Sequence, residues 1–123
     1  MARRSPTDEV DSFLPLPTAV FHILVALADR DRHGYSIMQD VDARTGGKVR
    51  LSPSTLYTAI RRMLEQGVIE ELHDSPDPES ADERRRYYRL TRLGRDVAVA
   101  EARRFSELLG HARATRLIPR KLQ

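Results

Sequence analysis

Residues 52–64 read SPSTLYTAIRRML, and the side chains able to do chemistry gather on one side of that stretch. At about 100° per residue, a helix here points Ser54, Thr58, Arg61 and Glu65 one way, with Thr55 and Arg62 on one flank and Tyr57 on the other. Hydroxyls, a phenol and arginines are hydrogen-bond donors suited to phosphate oxygens and base edges. Arginine offers a planar fork that grips phosphate or guanine through two bonds at once. Short hydroxyls let a helix backbone come close to a groove, and the partial positive charge of a helix N-terminus favours phosphate there. The Tyr57 hydroxyl either donates to a phosphate or its ring packs against neighbouring strands. Lys48 and Arg50, just ahead of the stretch, are further phosphate candidates, as is the run Arg84, Arg85 and Arg86. Such a run is also what a solvated surface carries, so its meaning depends on the fold around it.

Other chemistries find little to work with. The chain has no cysteine, which removes disulfides, thiolate metal sites and thiol nucleophiles together. His22, His33, His73 and His111 lack metal-ligand spacing. No glycine-rich phosphate loop and no nucleophile-elbow pattern is present. An enzyme is not expected, nor a metal or cofactor.

Length and charge set outer bounds. The 123 residues make one domain with room for an added dimerisation element. The formal net charge is +3, and Lys48 and Lys121 are the only lysines, so the basic side chains are nearly all arginine. That usage suits phosphate recognition and equally suits a genome that favours arginine codons. No apolar run approaches the roughly 18 residues needed to cross a bilayer, and MARRSPTDEV lacks the apolar segment of a secretory signal. The expected location is cytoplasmic and nucleoid-associated.

The elements that must hold the donor face can be read from apolar spacing. Residues 1–13 are polar without a period and are expected to form a flexible arm. LPLPT at 14–18 starts a first helix over 18–28, with Val20, Ile23, Leu24 and Leu27 as one stripe and Phe21, Val25 and Ala28 as a second. A helix apolar on two faces is packed on two sides. DRDRHG links it to a second helix over 35–45, which Gly46–Gly47 ends. KVRL at 48–51 alternates and reads as a stub strand. In the stretch that follows, Ser52 is a good N-cap and Pro53 suits the first helical position. Leu56, Ala59, Ile60, Met63 and Leu64 form its apolar face, and Gln66–Gly67 stops it. VIEELH (68–73) and RRYYRL (85–90) read as two strands around a loop rich in turn formers, which makes a long-tipped hairpin. Thr91 caps a last helix running to about residue 112, and 113–123 form a basic, frayed tail. The order helix, helix, stub strand, helix, hairpin, long helix is that of a winged helix-turn-helix (14–92) with an appended helix (93–112), mainly α with a β-hairpin.

That last helix has an apolar arc broader than a small winged core requires. Leu93, Val97, Ala100, Phe105, Leu108 and Leu109, with Phe21 and Val25 of the first helix, are therefore expected to form a dimer interface. Glu101 and Arg104 fall inside the arc, as an intersubunit ion pair or an exposed intrahelical one. An effector pocket between protomers is expected against Phe21, Val25, Val97 and Phe105, with Ala100 and Leu108 nearby.

Three stretches in order, HGYSIM at 33–38, SPSTLYTAIRRMLEQGVIE at 52–70 and RRYYRLTRLG at 85–94, resemble the PadR family of bacterial transcriptional regulators. The single helix after the hairpin is similar to the smaller subfamily, whose members lack a larger C-terminal helical domain. The resemblance implies a homodimeric regulator of double-stranded DNA, usually a repressor, released by a small molecule or a stress signal. On it, Ser54, Thr55, Tyr57, Thr58 and Arg61 read the major groove while Arg84, Arg85 and Arg86 at the base of the wing grip phosphate, and an inverted-repeat operator follows from two-fold symmetry. Ser54 departs from the glycine common at the third position of the family's SPxTLY motif and adds a donor. The wing tip, with Asp74, Asp77, Glu79, Asp82 and Glu83, is acidic. Those acids leave open a second use of the module, binding protein or RNA.

Overall fold

The computed structural model describes residues 6–72 and 86–119. In chain order the elements are α1 (Pro6–Asp11), α2 (Thr18–Asp29), β1 (Arg32–His33), α3 (Gly34–Arg44), α4 (Pro53–Glu65), β2 (Ile69–Glu71), β3 (Tyr87–Leu90) and α5 (Arg92–Ala114). Helices α2, α3 and α4 and the antiparallel sheet enclose one core, and α5 lies across it. This is the winged helix-turn-helix with an appended helix that the sequence order calls for.

Each helix start has a local cause. Ser52 Oγ accepts the Thr55 amide at 3.1 Å and Pro53 takes the first helical position of α4. His33 Nδ1 accepts the Ser36 amide at 3.1 Å at the head of α3. Thr91 Oγ1 accepts the Gly94 amide at 3.1 Å and donates to the Gly67 carbonyl at 2.6 Å, which ties the head of α5 to the turn after α4. That junction leaves no room for a side chain. A Cβ on Gly94 would lie 1.8 Å from the Val68 carbonyl oxygen.

The core is assembled from Ile23, Leu24 and Leu27 of α2, Ile37 and Val41 of α3, Leu56, Ile60 and Met63 of α4, and Val68, Ile69, Tyr88 and Val97. Burying each of the three α4 anchors is worth roughly 2 kcal/mol. Together they fix the rotation of α4 about its axis, and so which side chains it turns outward.

Three expectations are corrected by the fold. The third strand is Arg32–His33, not residues 48–51. The strand order is β1-β3-β2, with Arg32 opposite Tyr88, His33 opposite Tyr87 and Ile69 opposite Leu90. The 48–51 segment is instead held by Thr45, whose hydroxyl accepts the Val49 amide at 3.0 Å. Within the expected flexible arm, residues 6–11 form α1, which packs on α5 through a segment that includes Val10, Phe13 and Leu14. Residues 1–5 and 120–123 lie outside the described residues; before them the chain stays helical to Ala114, past the expected end near 112.

A polar staple joins the first two core helices. Arg32 spends its guanidinium on the Ala26 carbonyl (3.0 Å), Ser36 Oγ (3.0 Å), Asp29 (2.8 Å) and Asp40 (3.1 Å). Arg44 Nε adds a 2.6 Å bond to Asp40. Burial opposes ionisation of Asp29, but Arg30 and Arg32 outweigh it and hold its carboxyl below the usual range. The acids and bases of DRDRHG are thus a joint between α2, β1 and α3.

Candidate nucleic-acid interface

With its apolar face sealed, α4 turns Ser54, Thr55, Thr58 and Arg61 to solvent. Thr55 Oγ1 accepts from Ser52 Oγ at 3.0 Å, so these two hydroxyls are coupled at the helix start. Arg61 makes no ion pair among the described residues, and its guanidinium stands ready for an external anion. Lys48 is likewise exposed and outside any described ion pair.

Tyr57 has a different position from its neighbours. It is half-buried, and its phenol lies over Gly34, where an added Cβ would come within 2.5 Å of the hydroxyl oxygen. The ring therefore wedges α4 against the head of α3, and the bare glycine is what lets the two helices close. Of the two roles open to Tyr57 in the sequence, packing is present, at the head of α3 and against the core that includes Tyr88 of β3.

The arginines flanking α4 are committed to carboxylates. Arg50 Nε lies 3.7 Å from Asp42 Oδ1. Arg86 Nε lies 3.3 Å from Glu71 Oε1 at the base of the hairpin. On the opposite face of the sheet, Arg89 pairs with its cross-strand neighbour Glu70 at 2.5 Å. Burial and then the nearby Glu71 raise the pKa of the Tyr88 phenol, which packs on the inner face of β3. Arg84, Arg85 and the acidic wing tip lie outside the described residues.

The second candidate surface divides along α5. This helix of 23 residues is about 34 Å long, more than the core beneath it can cover. Gly94, Val97 and Glu101 are buried against the protomer. Val97 has no exposed surface at all, which removes it from both the expected dimer interface and the expected effector pocket. Leu93 is half-buried against the same core, and Ala100 lines the cleft beneath α1. Beyond Arg104 the same helix face runs past the core, leaving Phe105, Leu108 and Leu109 exposed together with Val99 on another face. Phe21 and Phe105 stack at 5.3 Å between centroids, and beside them Val25, Ala28, Leu90, Ala98 and Ala102 line an apolar cleft of about 220 Å³. Phe21, Val25 and Phe105 are thus brought together, and Val97 is not.

Glu101 and Arg104 form the intrahelical pair, with the glutamate buried rather than exposed. Its carboxylate is fully buried, bonded to Arg104 Nε at 2.5 Å and to the Leu16 amide at 2.7 Å. The Arg104 bond holds its pKa below the usual glutamate range against the effect of burial, with the Leu16 amide adding to that. Nothing in the spacing of residue 101 signals a partner 85 positions earlier, so sequence reasoning could not find this contact.

The sequence profile described as the transcriptional regulator PadR-like family matches residues 23–100, more than half of the chain. The chain belongs to the PadR-like family. That family is one of transcription regulators and not of enzymes. An uncharacterized protein of Lysinibacillus sphaericus is 34% identical over 73 residues, which is 59% of this chain and 64% of the relative, so the match spans less than two thirds of that protein. Among solved structures, a transcriptional regulator from Clostridium thermocellum is similar with a TM-score of 0.64 at 23% identity, covering 95% of this chain and all of its own. A PadR family transcription regulator from hypervirulent Clostridium difficile R20291 gives 0.66 at 23%, over 80% of this chain and 98% of its own. RosR of H. salinarum gives 0.58 at 19%, over 84% and 98%. At such identities the structural likeness speaks for the fold. Among the described residues no helix of this PadR-like chain is long and apolar enough to cross a membrane.

Proposed function

We propose that this PadR-like protein is a homodimeric repressor that binds double-stranded DNA through α4. The observation that carries the reading is the outward face of α4: a capped N-terminus, short hydroxyls at Ser54, Thr55 and Thr58, and Arg61 outside any described ion pair. Phosphate contacts fix register and the groove face reads bases. Lys48, Arg50, Arg84, Arg85 and Arg86 flank that face in sequence and supply the phosphate donors. The partner subunit is a second copy, held through the uncovered half of α5 and the Phe21–Val25 cleft. The same cleft, with Phe105 at its edge, is where a small apolar effector would loosen the pair of protomers. Two-fold symmetry gives an inverted-repeat operator with half-site centres roughly 34 Å apart.

Mobility-shift titrations on the DNA upstream of its own coding sequence test this. If each protomer engages about four phosphates, log affinity falls with log salt at a slope of roughly −7 for the dimer. Arg61→Ala should weaken binding at least tenfold while leaving the thermal midpoint unchanged. Absence of any retarded complex at low salt sinks the proposal. Retention of RNA or a protein partner by an Arg61→Ala protein that no longer shifts DNA would point to the module's other use.

A further inference from the structure

Among the described residues, the large apolar or aromatic side chains that stay exposed belong to α5 and the turn after it, with one exception. That exception is Tyr35, the second residue of α3, which is 58% exposed. Its hydroxyl makes no hydrogen bond and its ring no aromatic contact among the described residues. An outward helix position is better filled by Ala, Glu or Lys than by Tyr. Neither packing nor helix propensity therefore accounts for a tyrosine here.

The surroundings of Tyr35 put it beside the donor face of α4. Gly34, the residue before it, lies under the Tyr57 phenol, and Tyr57 borders the outward set of Ser54, Thr58 and Arg61. Consecutive Cα atoms are about 3.8 Å apart, so Tyr35 stands one step from that border. Asp42 is seven residues further on and shares a face of α3 with Tyr35. It sits beside Gly47 and Arg50, in the segment that leads into α4. Ser36 and Asp40, which the Arg32 staple binds, lie on another side of the helix. A helix with its side chains is roughly 10–12 Å across and the major groove of DNA roughly 12 Å wide. A helix lying in the groove fills it, so a side chain that stands beside the helix meets the sugar–phosphate wall. Tyrosine suits that wall: its ring lies against deoxyribose while its hydroxyl donates to a phosphate oxygen. With two side-chain torsions it loses little freedom in doing so.

Resting on the DNA-binding reading above, we infer that Tyr35 is a direct contact to the DNA backbone, held by α3 at the edge of the groove that α4 enters. The contact is uncharged, so it adds affinity without the counterion release that accompanies an arginine contact. It carries no base preference of its own and fixes how α4 sits in the groove.

The test uses Tyr35→Phe and Tyr35→Ala in the full chain, on a duplex enriched by the wild-type protein from a random-sequence pool. Tyr35→Phe removes only the hydroxyl and should weaken binding about tenfold, as loss of a hydrogen bond to a charged acceptor does. Tyr35→Ala removes the ring as well and should weaken binding further. Both should keep the wild-type thermal midpoint, because the side chain is exposed, and the wild-type salt slope, because no charge is lost. In the wild-type protein, nitration of Tyr35 by tetranitromethane, read by peptide mass, should be lost when the duplex is bound. Wild-type affinity in both Tyr35 variants, alongside a weakened Arg61→Ala protein, overturns this inference while the DNA-binding reading stands. So does nitration that the duplex leaves unchanged, or a loss of affinity matched by a fall in the thermal midpoint, which would assign Tyr35 to packing. Failure of the wild-type protein to enrich or bind any duplex overturns the underlying reading and this inference with it.

Discussion

A glycine and a serine carry much of the local geometry. At Gly94 the helix backbone of α5 meets the Val68 carbonyl so closely that any Cβ forces the two apart. Gly94→Ala should cost about 3 kcal/mol, since neither the carbonyl nor the helix can move without breaking the Thr91 joint. A chemical denaturation curve measures this, and a loss below about 0.5 kcal/mol would mean that the junction is softer than its geometry implies. Ser52 works at the head of α4. Ser52→Ala removes the side-chain acceptor from the Thr55 amide and should cost about 1 kcal/mol. It also frees Thr55 Oγ1 from its partner, so DNA affinity should fall together with stability, as parallel melts and mobility shifts would record.

Among the elements, the segment linking α1 to α2 does the least obvious work. It runs between α5 and the C-terminal end of α4, and the Leu16 amide is pinned by the buried Glu101. Because the folded-state pKa of Glu101 lies below its unfolded value, the carboxylate contributes stability that is complete above the unfolded value, roughly pH 4. That contribution is lost as pH falls through the lower folded value. Thermal midpoints followed from pH 7 down to pH 3 should therefore drop in the acid range. Glu101→Gln should be less stable at neutral pH and show a flatter acid decline, and an identical pH profile for the two proteins would rule out this role. The staple of Asp29, Arg32, Asp40 and Arg44 likewise joins two elements, α2 and α3.

For the whole molecule, the decisive feature is a helix longer than the core that supports it. Past Arg104, Leu108 and Leu109 of α5 stay exposed and Phe105 is covered only in part by Phe21, and a chain of this size gains much from covering them. If the protein is the proposed homodimer, Leu108→Asp combined with Leu109→Asp should convert it into a monomer by sedimentation at micromolar concentration. The monomer's secondary structure should be unchanged, because both positions lie beyond the core. DNA affinity should fall far more than in any single phosphate-contact variant, since two half-sites would no longer be bound together. A dimeric double variant would require a different interface.

Apolar periodicity, caps and stops sufficed to locate α2, α3, α4, the hairpin strands and α5 to within a few residues, because each of those signals acts within a turn or two of the chain. The donor face of α4 was legible for the same reason: once Leu56, Ile60 and Met63 point inward, the outward set follows from helical spacing. The two-residue strand at Arg32–His33 was not legible, since its only cause is the edge of β3 offered by a segment more than fifty positions away. Nor was α1, whose few apolar residues are held by packing on α5. Val97 and Phe105 looked alike as members of one apolar arc, yet one is sealed in the core and the other lies past its end. Which apolar residues remain uncovered, which arginines are already paired and where Glu101 finds its partner depend on contacts between distant segments, and those only the tertiary structure decided.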